Sequence, residues 1–208
     1  MLYFNSFPKI AVSDSVGNQI LMTNLMARSE IIPSLLNNPL LYYKYDVKDS
    51  DRPDVIADKY YEDSDRYWLV LMSNQILDPI REWPLTSQQF EAYLTEKYSA
   101  AANTTPVLSY IQSTIYQYTK TITTYESVSM EETSKTFIID LPTYTLTQTG
   151  TIQQSFSDGS YVRQTTSKNA VSIYEYETAQ NEAKRNINLI NAKYASQFES
   201  NFKSLMSK

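Results

Sequence analysis

The chain has 208 residues, 42% hydrophobic and 20% charged, with a formal net charge of −5 at pH 7, which predicts one or two domains and disfavours a nucleic-acid partner. Because it contains neither cysteine nor histidine, the sequence excludes disulfides, thiol nucleophiles, Ser-His-Asp triads and metal sites built on those residues. Its three glycines, Gly17, Gly150 and Gly159, lie too far apart for a phosphate-binding loop, so no nucleotide cofactor is expected.

The N-terminal 40 residues predict a β-hairpin and no targeting signal. Residues 10–12 and 19–22 are short apolar runs on either side of the turn-forming residues 14–18. No basic segment precedes a long apolar run, so we expect a soluble chain that is cytosolic when made and has no membrane partner.

Residues 42–61 predict a strand followed by a short helix. Residues 42–47 alternate in polarity as a strand does, and the acidic residues 49–54 offer N-cap carboxylates. Pro53 suits a first helical turn, and the apolar face of the helix carries Val55, Ile56 and Tyr60.

Residues 63–98 continue this pattern with two helices and an intervening strand. Asp63 and Asp65 cap a helix that carries Trp68 and ends at Asn74. Residues 76–85 contain two prolines and predict an extended strand that returns to the same core. Thr86 or Ser87 then caps a helix with apolar residues at helical spacing, namely Phe90, Tyr93, Leu94 and Tyr98.

Residues 99–176 predict antiparallel strands. Sixteen threonines fall between Thr104 and Thr166, and β-branched residues at that density favour strands. Asp158-Gly159 is the strongest hairpin signal in the chain, with further turns at Leu141-Pro142 and Thr149-Gly150. The 18 tyrosines of the whole chain suit either a β-rich core or a wet protein interface, and the sequence leaves both open.

The C-terminal segment predicts one long amphipathic helix over residues 179–206. Its apolar residues recur at helical spacing, at Ala183, Ile187, Ile190, Tyr194, Phe198, Phe202 and Leu205. Together the segments predict an α+β fold in three parts. These are residues 1–98 with the hairpin and the βααβ core, residues 99–176 with Thr/Tyr-rich hairpins, and residues 177–208 with the helix.

The acidic clusters are interpreted as helix caps and solvated surface rather than as catalytic groups. Nothing in the sequence selects two carboxylates as a glycosidase pair, and residues 49–54 lack the glycine and distal glutamate of a calcium loop. Trp68 and Trp83 could form a sugar-stacking platform, but core positions are favoured. We therefore expect no enzyme, no catalytic residue, no metal and no cofactor.

Residues 42–61 and 65–79 resemble a LysM module. The likeness lies in the Tyr-rich strand, the acidic turn, the I-A-x-x-Y helix and the second helix that ends in Asn74. The resemblance implies a LysM-like core containing Tyr43, Tyr45, Val55, Ile56, Tyr60, Trp68, Leu71, Asn74 and Trp83.

The same motifs, together with residues 82–85, 3–10 and 181–187, are similar to one phage family. That family is the LysM-like baseplate wedge subunit of contractile-tailed bacteriophages. The resemblance implies a structural virion protein of the tail baseplate, assembled in the host cytoplasm. It also implies that the subunit binds other wedge proteins and clamps adjacent wedges as six of them close into a ring. The alternative is a LysM-type module that binds glycan such as peptidoglycan.

Two segments offer partner surfaces under the clamp hypothesis. Strand edges in residues 107–175 could be extended by a neighbour's strand, and the C-terminal helix could pack in a partner's groove or cover its own sheet. The clamp hypothesis also predicts that residues 1–98 fold without residues 179–206. The candidate interface residues are Tyr116, Tyr118, Ile122, Tyr144, Tyr161, Arg185, Ile187, Tyr194, Phe198 and Phe202.

Overall fold

The computed structural model describes residues 3–27, 31 and 38–206. The chain divides into two compact units. The core unit comprises Met1–Ser87 with Asn181–Lys208, and the inserted unit comprises Gln88–Gln180. The predicted mixture of helices, antiparallel sheets and a C-terminal helix is confirmed.

The elements follow one another in this order. Before the insertion come β1 (Lys9–Ser13), β2 (Gln19–Thr23), β3 (Tyr42–Asp46), α1 (Pro53–Tyr61), α2 (Tyr67–Ser73) and α3 (Pro79–Glu82). Next come α4 (Ser87–Ala102), α5 (Val107–Ser113), β4 (Ile115–Glu126), β5 (Glu131–Ile139), α6 (Leu141–Leu146), β6 (Gly150–Ser155), β7 (Tyr161–Ser172) and α7 (Ile173–Ala183). The chain then forms β8 (Asn186–Ile190) and α8 (Ala192–Met206).

The core unit is closed by two strands from opposite sides of the insertion. β3 pairs antiparallel with β8, so that Tyr42 lies opposite Ile190 and Asp46 opposite Asn186. Helices α1, α2 and α8 bury their apolar residues together with β8. The fully or nearly fully buried residues include Val47, Ile56, Ala57, Trp68, Leu69, Val70, Trp83, Leu189, Ala195 and Met206.

The predicted strand over residues 76–85 is wrong. The middle of this segment forms the short helix α3, with Pro79 in its first turn. The Asp78 carboxylate accepts a hydrogen bond from the Ile80 N–H at 3.1 Å, and the Glu82 carboxylate accepts one from the Leu77 N–H at 2.8 Å. The Ile80 N–H is one of the free N–H groups of the first helical turn, and Glu82 reaches back to the N–H groups of the two residues before the helix. Both contacts favour a turn of helix over an extended chain.

The prediction of one continuous helix over residues 179–206 is also wrong, because this segment contains the end of one helix, a strand and a second helix. Ile187 and Leu189 alternate with asparagines, and this period of two suits a strand as well as the predicted helical spacing. Pairing with β3 decides between the two. Since β8 lies in the core, we no longer expect residues 1–98 to fold without residues 179–206.

Helix α1 begins as predicted at Pro53, but no carboxylate caps it. The N-cap residue is Arg52, which makes no side-chain capping hydrogen bond. Asp63 does act as predicted, since its carboxylate accepts from the Asp65 N–H at 2.9 Å in the turn that leads into α2. The carboxylates of residues 49 and 51 bind other parts of the core unit instead.

The inserted unit contains the predicted antiparallel sheet. Its strand order is β5-β4-β7-β6, and the Asp158-Gly159 turn joins β6 to β7 as expected. A small apolar cluster of Leu94, Ile111 and Ile173 joins α4, α5 and the start of α7. The N-terminal hairpin of β1 and β2 is likewise present.

Replacing Trp83 with alanine is expected to destabilise the core unit by about 3–5 kcal/mol, because it leaves a cavity in a packed core. The Trp83 side chain is buried, and its Nε1 donates to the Asp51 carbonyl at 3.0 Å. Trp83→Phe keeps much of the ring volume and should cost less. Denaturant unfolding followed by circular dichroism measures both values. A loss below about 1 kcal/mol for Trp83→Ala would contradict this account of the core.

Candidate partner-binding surfaces

The outer edge of β8 is covered by polar side chains from α1 and α2. The Asn74 side chain donates to the Asn188 carbonyl at 2.9 Å and accepts from the Asn188 N–H at 2.7 Å, as a neighbouring strand would. Ser73 Oγ donates to the same carbonyl at 2.7 Å, and the Tyr61 hydroxyl donates to the Ile190 carbonyl at 2.8 Å. Because these backbone groups are satisfied, this edge is closed to a partner strand.

A buried carboxylate fixes the turn between β3 and α1. The Asp51 side chain is 1% exposed and accepts hydrogen bonds from the Tyr45 hydroxyl (2.6 Å), the Lys48 N–H (3.1 Å) and Lys59 Nζ (2.8 Å). Burial raises the pKa of Asp51, but hydrogen bonds led by that of Lys59 outweigh it and hold the pKa below its usual range. Burial and the hydrogen bond to Asp51 raise the pKa of Tyr45 to about 12.

The points where the chain leaves and re-enters the core unit are joined to each other. Leu85 and Asn181 are 96 positions apart and exchange two hydrogen bonds, of 2.8 and 3.1 Å. The Asp49 carboxylate accepts from the Ser87 N–H at 3.0 Å and from the Arg185 guanidinium at 3.2 Å. These contacts, all within the core unit, make the insertion begin and end side by side.

An ion pair with a buried carboxylate supplements the small apolar cluster of the inserted unit. The Glu177 side chain is 7% exposed and accepts from Lys97 Nζ at 2.7 Å and from the Tyr98 hydroxyl at 2.6 Å. Burial raises the pKa of Glu177, but the hydrogen bonds from Lys97 and Tyr98 outweigh it, so the pKa lies below its usual range. The network therefore ties α4 to α7 with the carboxylate ionised.

The two outer strands of the inserted sheet differ in charge. Strand β5 is exposed along nearly its whole length and carries Glu131, Glu132 and Lys135. Strand β6 is exposed throughout and carries no charged residue. Since charged side chains on an edge strand disfavour pairing with a further strand, β6 is the more open edge of this sheet within the part of the chain that the structure describes.

Five of the predicted partner residues lie in the inserted unit. They are Tyr116, Tyr118, Ile122, Tyr144 and Tyr161. Tyr116 is half exposed and stacks on Tyr176 with 3.9 Å between the ring centroids, while Tyr118 packs against Tyr144 at 4.7 Å. Ile122 and Tyr161 are half-buried in β4 and β7. All five keep part of their surface open to solvent.

The other five predicted partner residues lie in the core unit. They are Arg185, Ile187, Tyr194, Phe198 and Phe202. Ile187 and Phe202 are buried in the core, and Tyr194 and Phe198 are half-buried against it. The Arg185 guanidinium is occupied by Glu182 and Asp49. For Ile187 and Phe202 the structure assigns packing within the chain itself, which was one of the two alternatives for this segment.

The residues predicted for the LysM-like core all belong to the core unit. Ile56, Trp68 and Trp83 are buried, and Tyr45, Val55, Tyr60, Leu71 and Asn74 are half-buried. Tyr43 is exposed and stacks on Tyr60 at 5.7 Å. Burial of both tryptophans agrees with core positions rather than with a sugar-stacking platform.

Sequence reasoning missed the polar residues that join distant segments. Asp49, Ser73 and Asn181 reach partners 136, 115 and 96 positions away. No local spacing marks such residues, because their partners are brought close only by the pairing of β3 with β8. The sequence predicts Asn74 as a helix end, but no local pattern indicates that its side chain binds β8.

The exposed features of the two units suit contacts with other proteins. Across residues 3–27, 31 and 38–206, no group of three or more acidic side chains is placed to hold a metal ion. None of the helices in those ranges is long and apolar enough to cross a membrane. What the surface offers is open strand edges and tyrosine pairs, which suit protein interfaces.

Comparison with known families shows to which family the chain belongs. The family model for the phage base plate wedge protein 53 matches residues 30–205. Because the match covers most of the chain and spans both units, the chain belongs to this family of base plate wedge proteins. It is therefore a structural component of the phage base plate. A search of curated proteins found no match.

Asn74→Ala is expected to destabilise the core unit by about 1–3 kcal/mol, because the Asn188 N–H loses its partner and the Asn188 carbonyl keeps only the hydrogen bond from Ser73. Asn188→Ala is the matched control, since it keeps the backbone atoms that Asn74 binds, and it should cost less than about 1 kcal/mol. Urea unfolding of both variants provides the comparison. Equal losses for the two variants would show that Asn74 does not support β8.

Acidification should destabilise the core unit through Asp51. A carboxyl whose pKa is lower in the folded than in the unfolded chain adds stability above its unfolded pKa and loses it as the pH falls through the folded pKa. Asp51→Asn should therefore be less stable than wild type at pH 7, by roughly 1–3 kcal/mol, and the difference should shrink below about pH 4. Asp58→Asn, which changes an exposed residue of α1, serves as the control. A difference that stays constant down to about pH 2 would contradict this role.

Proposed function

We propose that this protein clamps adjacent base plate wedges together, with one unit bound to its own wedge and the other to the next. The observation that carries the proposal is the division of one chain into two units, each with its own apolar cluster. A subunit that joins two wedges needs two binding surfaces. Each surface must lie on a unit that stays folded while the other unit is bound to its wedge. Membership of the base plate wedge family indicates the assembly in which such a subunit would act, namely the phage base plate.

The way the insertion is anchored supports this role. Both crossings into the inserted unit are held by the Leu85–Asn181 hydrogen bonds and by the contacts of Asp49. A unit attached through two chain segments is connected twice, so a pull on it is shared between two segments of the core unit. That suits a protein that must keep two neighbours together in a contractile tail.

The inserted unit also offers a surface for a neighbour's chain. Strand β6 has an uncharged and exposed edge, to which an extended segment could add as a further strand. The half-exposed Tyr116 and Tyr118 on β4 are amphipathic side chains of the type enriched at interfaces. Repetition of one moderate contact around a closed ring makes the assembly far more stable than each contact alone.

A LysM-type glycan-binding module is the second candidate, and one observation favours it. The pairing of β3 with β8 gives strand, helix, helix and strand in one compact unit, which is the order expected of such a module. The second strand of this unit comes from beyond the insertion rather than from residues 76–85. No catalytic step, metal or cofactor is part of either proposal.

Reconstitution tests the clamp directly. The other wedge proteins of the same phage are mixed with the full chain, with no chain, or with a variant in which a short Gly-Ser linker replaces residues 88–180. Because the crossings lie side by side, this linker should leave the core unit folded, as circular dichroism and thermal unfolding would verify. Size exclusion with light scattering then gives the mass of each assembly.

We expect multi-wedge rings only with the full chain. The linker variant should bind single wedges without closing the ring, since it retains one of the two surfaces. Ring closure at equal yield without the chain, or with the linker variant, would contradict the clamp. A chain that binds no wedge protein but sediments with insoluble peptidoglycan would favour the glycan-binding module instead.

A further inference from the structure

The N-terminal hairpin presents an apolar face that no described residue covers. In its register Ile10 lies opposite Met22 and Val12 opposite Ile20, so these four side chains share one face of the hairpin. They are 45%, 53%, 40% and 51% exposed, and every residue of both strands is exposed. A two-stranded hairpin is marginally stable by itself, which makes an uncovered apolar face on one unusual.

The hairpin is nevertheless shaped by its own turn. The Asp14 carboxylate accepts from the Val16 N–H at 2.9 Å, the Asn18 N–H at 2.8 Å and the Asn18 side-chain amide at 3.2 Å. Gly17 has a φ of +91°, a conformation that favours glycine. The turn therefore fixes which residues face each other, and with them the composition of the apolar face.

We propose that the face formed by Ile10, Val12, Ile20 and Met22 docks on an uncharged apolar surface of a different base plate wedge protein. This inference rests on the proposed function and assigns one contact of the core unit. Packing against such a surface would bury the four side chains and supply the layer that a two-stranded hairpin lacks.

The charge of the hairpin determines the chemistry of the partner. Between residues 9 and 23 the only charged side chains are Lys9, at the base, and Asp14, whose carboxylate is occupied within the turn. No charge is left on the docking face to attract an ionic partner. Burying an unpaired charge against these side chains would be costly, so the partner surface must be apolar.

The size of the face argues against a second copy of this chain. Four half-exposed side chains offer far less than the roughly 800 Å² per partner that a stable interface buries. Two hairpins packed face to face would therefore not hold a dimer together. The same face suffices as one part of a larger contact with a different protein, where other surfaces add to it.

A pair of matched variants of the full chain tests the proposal. Val12→Thr with Ile20→Thr keeps two strand-forming residues but places hydroxyls on the docking face. Ser13→Thr with Gln19→Thr places the same two residues at a facing pair on the opposite face of the same strands. The probe is the purified wedge complex assembled without this chain, and the readout is the dissociation constant. Thermal unfolding shows that both variants keep the fold.

The docking-face variant should bind the wedge complex at least about tenfold more weakly than wild type, and the opposite-face variant within about twofold. Hydrogen exchange should find the amides of residues 9–23 only weakly protected in the free chain, because an isolated hairpin is marginally stable, and strongly protected in the complex. Equal weakening by the two variants would overturn the proposal. So would a free chain that dimerises through this face, or amides already protected in the free chain by the rest of the molecule.

Failure of the proposed function gives a different result. If the wild-type chain does not bind the wedge complex, the clamp proposal fails and the hairpin proposal fails with it. If wild type binds and the docking-face variant binds equally well, only the hairpin proposal is overturned.

Discussion

The antiparallel pairing of β3 with β8 is the contact on which the rest of the structure depends. It places Leu189 and Ile190 in the core, where helices α1 and α2 cover them. It also places the Asn188 backbone within hydrogen-bonding distance of the Asn74 side chain. The C-terminal helix follows directly after β8. Because its two strands lie on either side of residues 88–180, this one pairing turns that whole segment into an insertion.

An insertion with its own core has a consequence for assembly. The core unit stays folded through contacts among its own strands and helices, while the inserted unit is held by its apolar cluster and the Glu177 ion pair. Each unit can therefore present a surface without lending residues to the core of the other. A base plate wedge protein built in this way is suited to join two neighbours, and this is the basis of the clamp proposal.

Local signals in the sequence predicted much of the fold. Pro53 marked the start of α1, Asp63 the entry to α2 and Asp158-Gly159 a hairpin, and each acts within a few residues of itself. The predictions were wrong where contact with a distant segment determines the secondary structure. Residues 186–190 fit helical spacing as well as strand alternation, and only β3 selects the strand. The polar contacts of Asn74 and Asp49 follow from that choice, so sequence reasoning had no local signal for them. The predicted burial of Trp68 and Trp83 in the core is correct, because large aromatic residues are usually packed inside.

The structure of the closed base plate by electron cryo-microscopy would test the central claim most directly. The measurement is the identity of the wedge whose proteins contact each unit of one chain. The clamp account predicts that the core unit and the inserted unit of a single chain contact proteins from two adjacent wedges, and that this holds at every wedge boundary. Both units bound within one wedge, with no contact across the boundary, would contradict it.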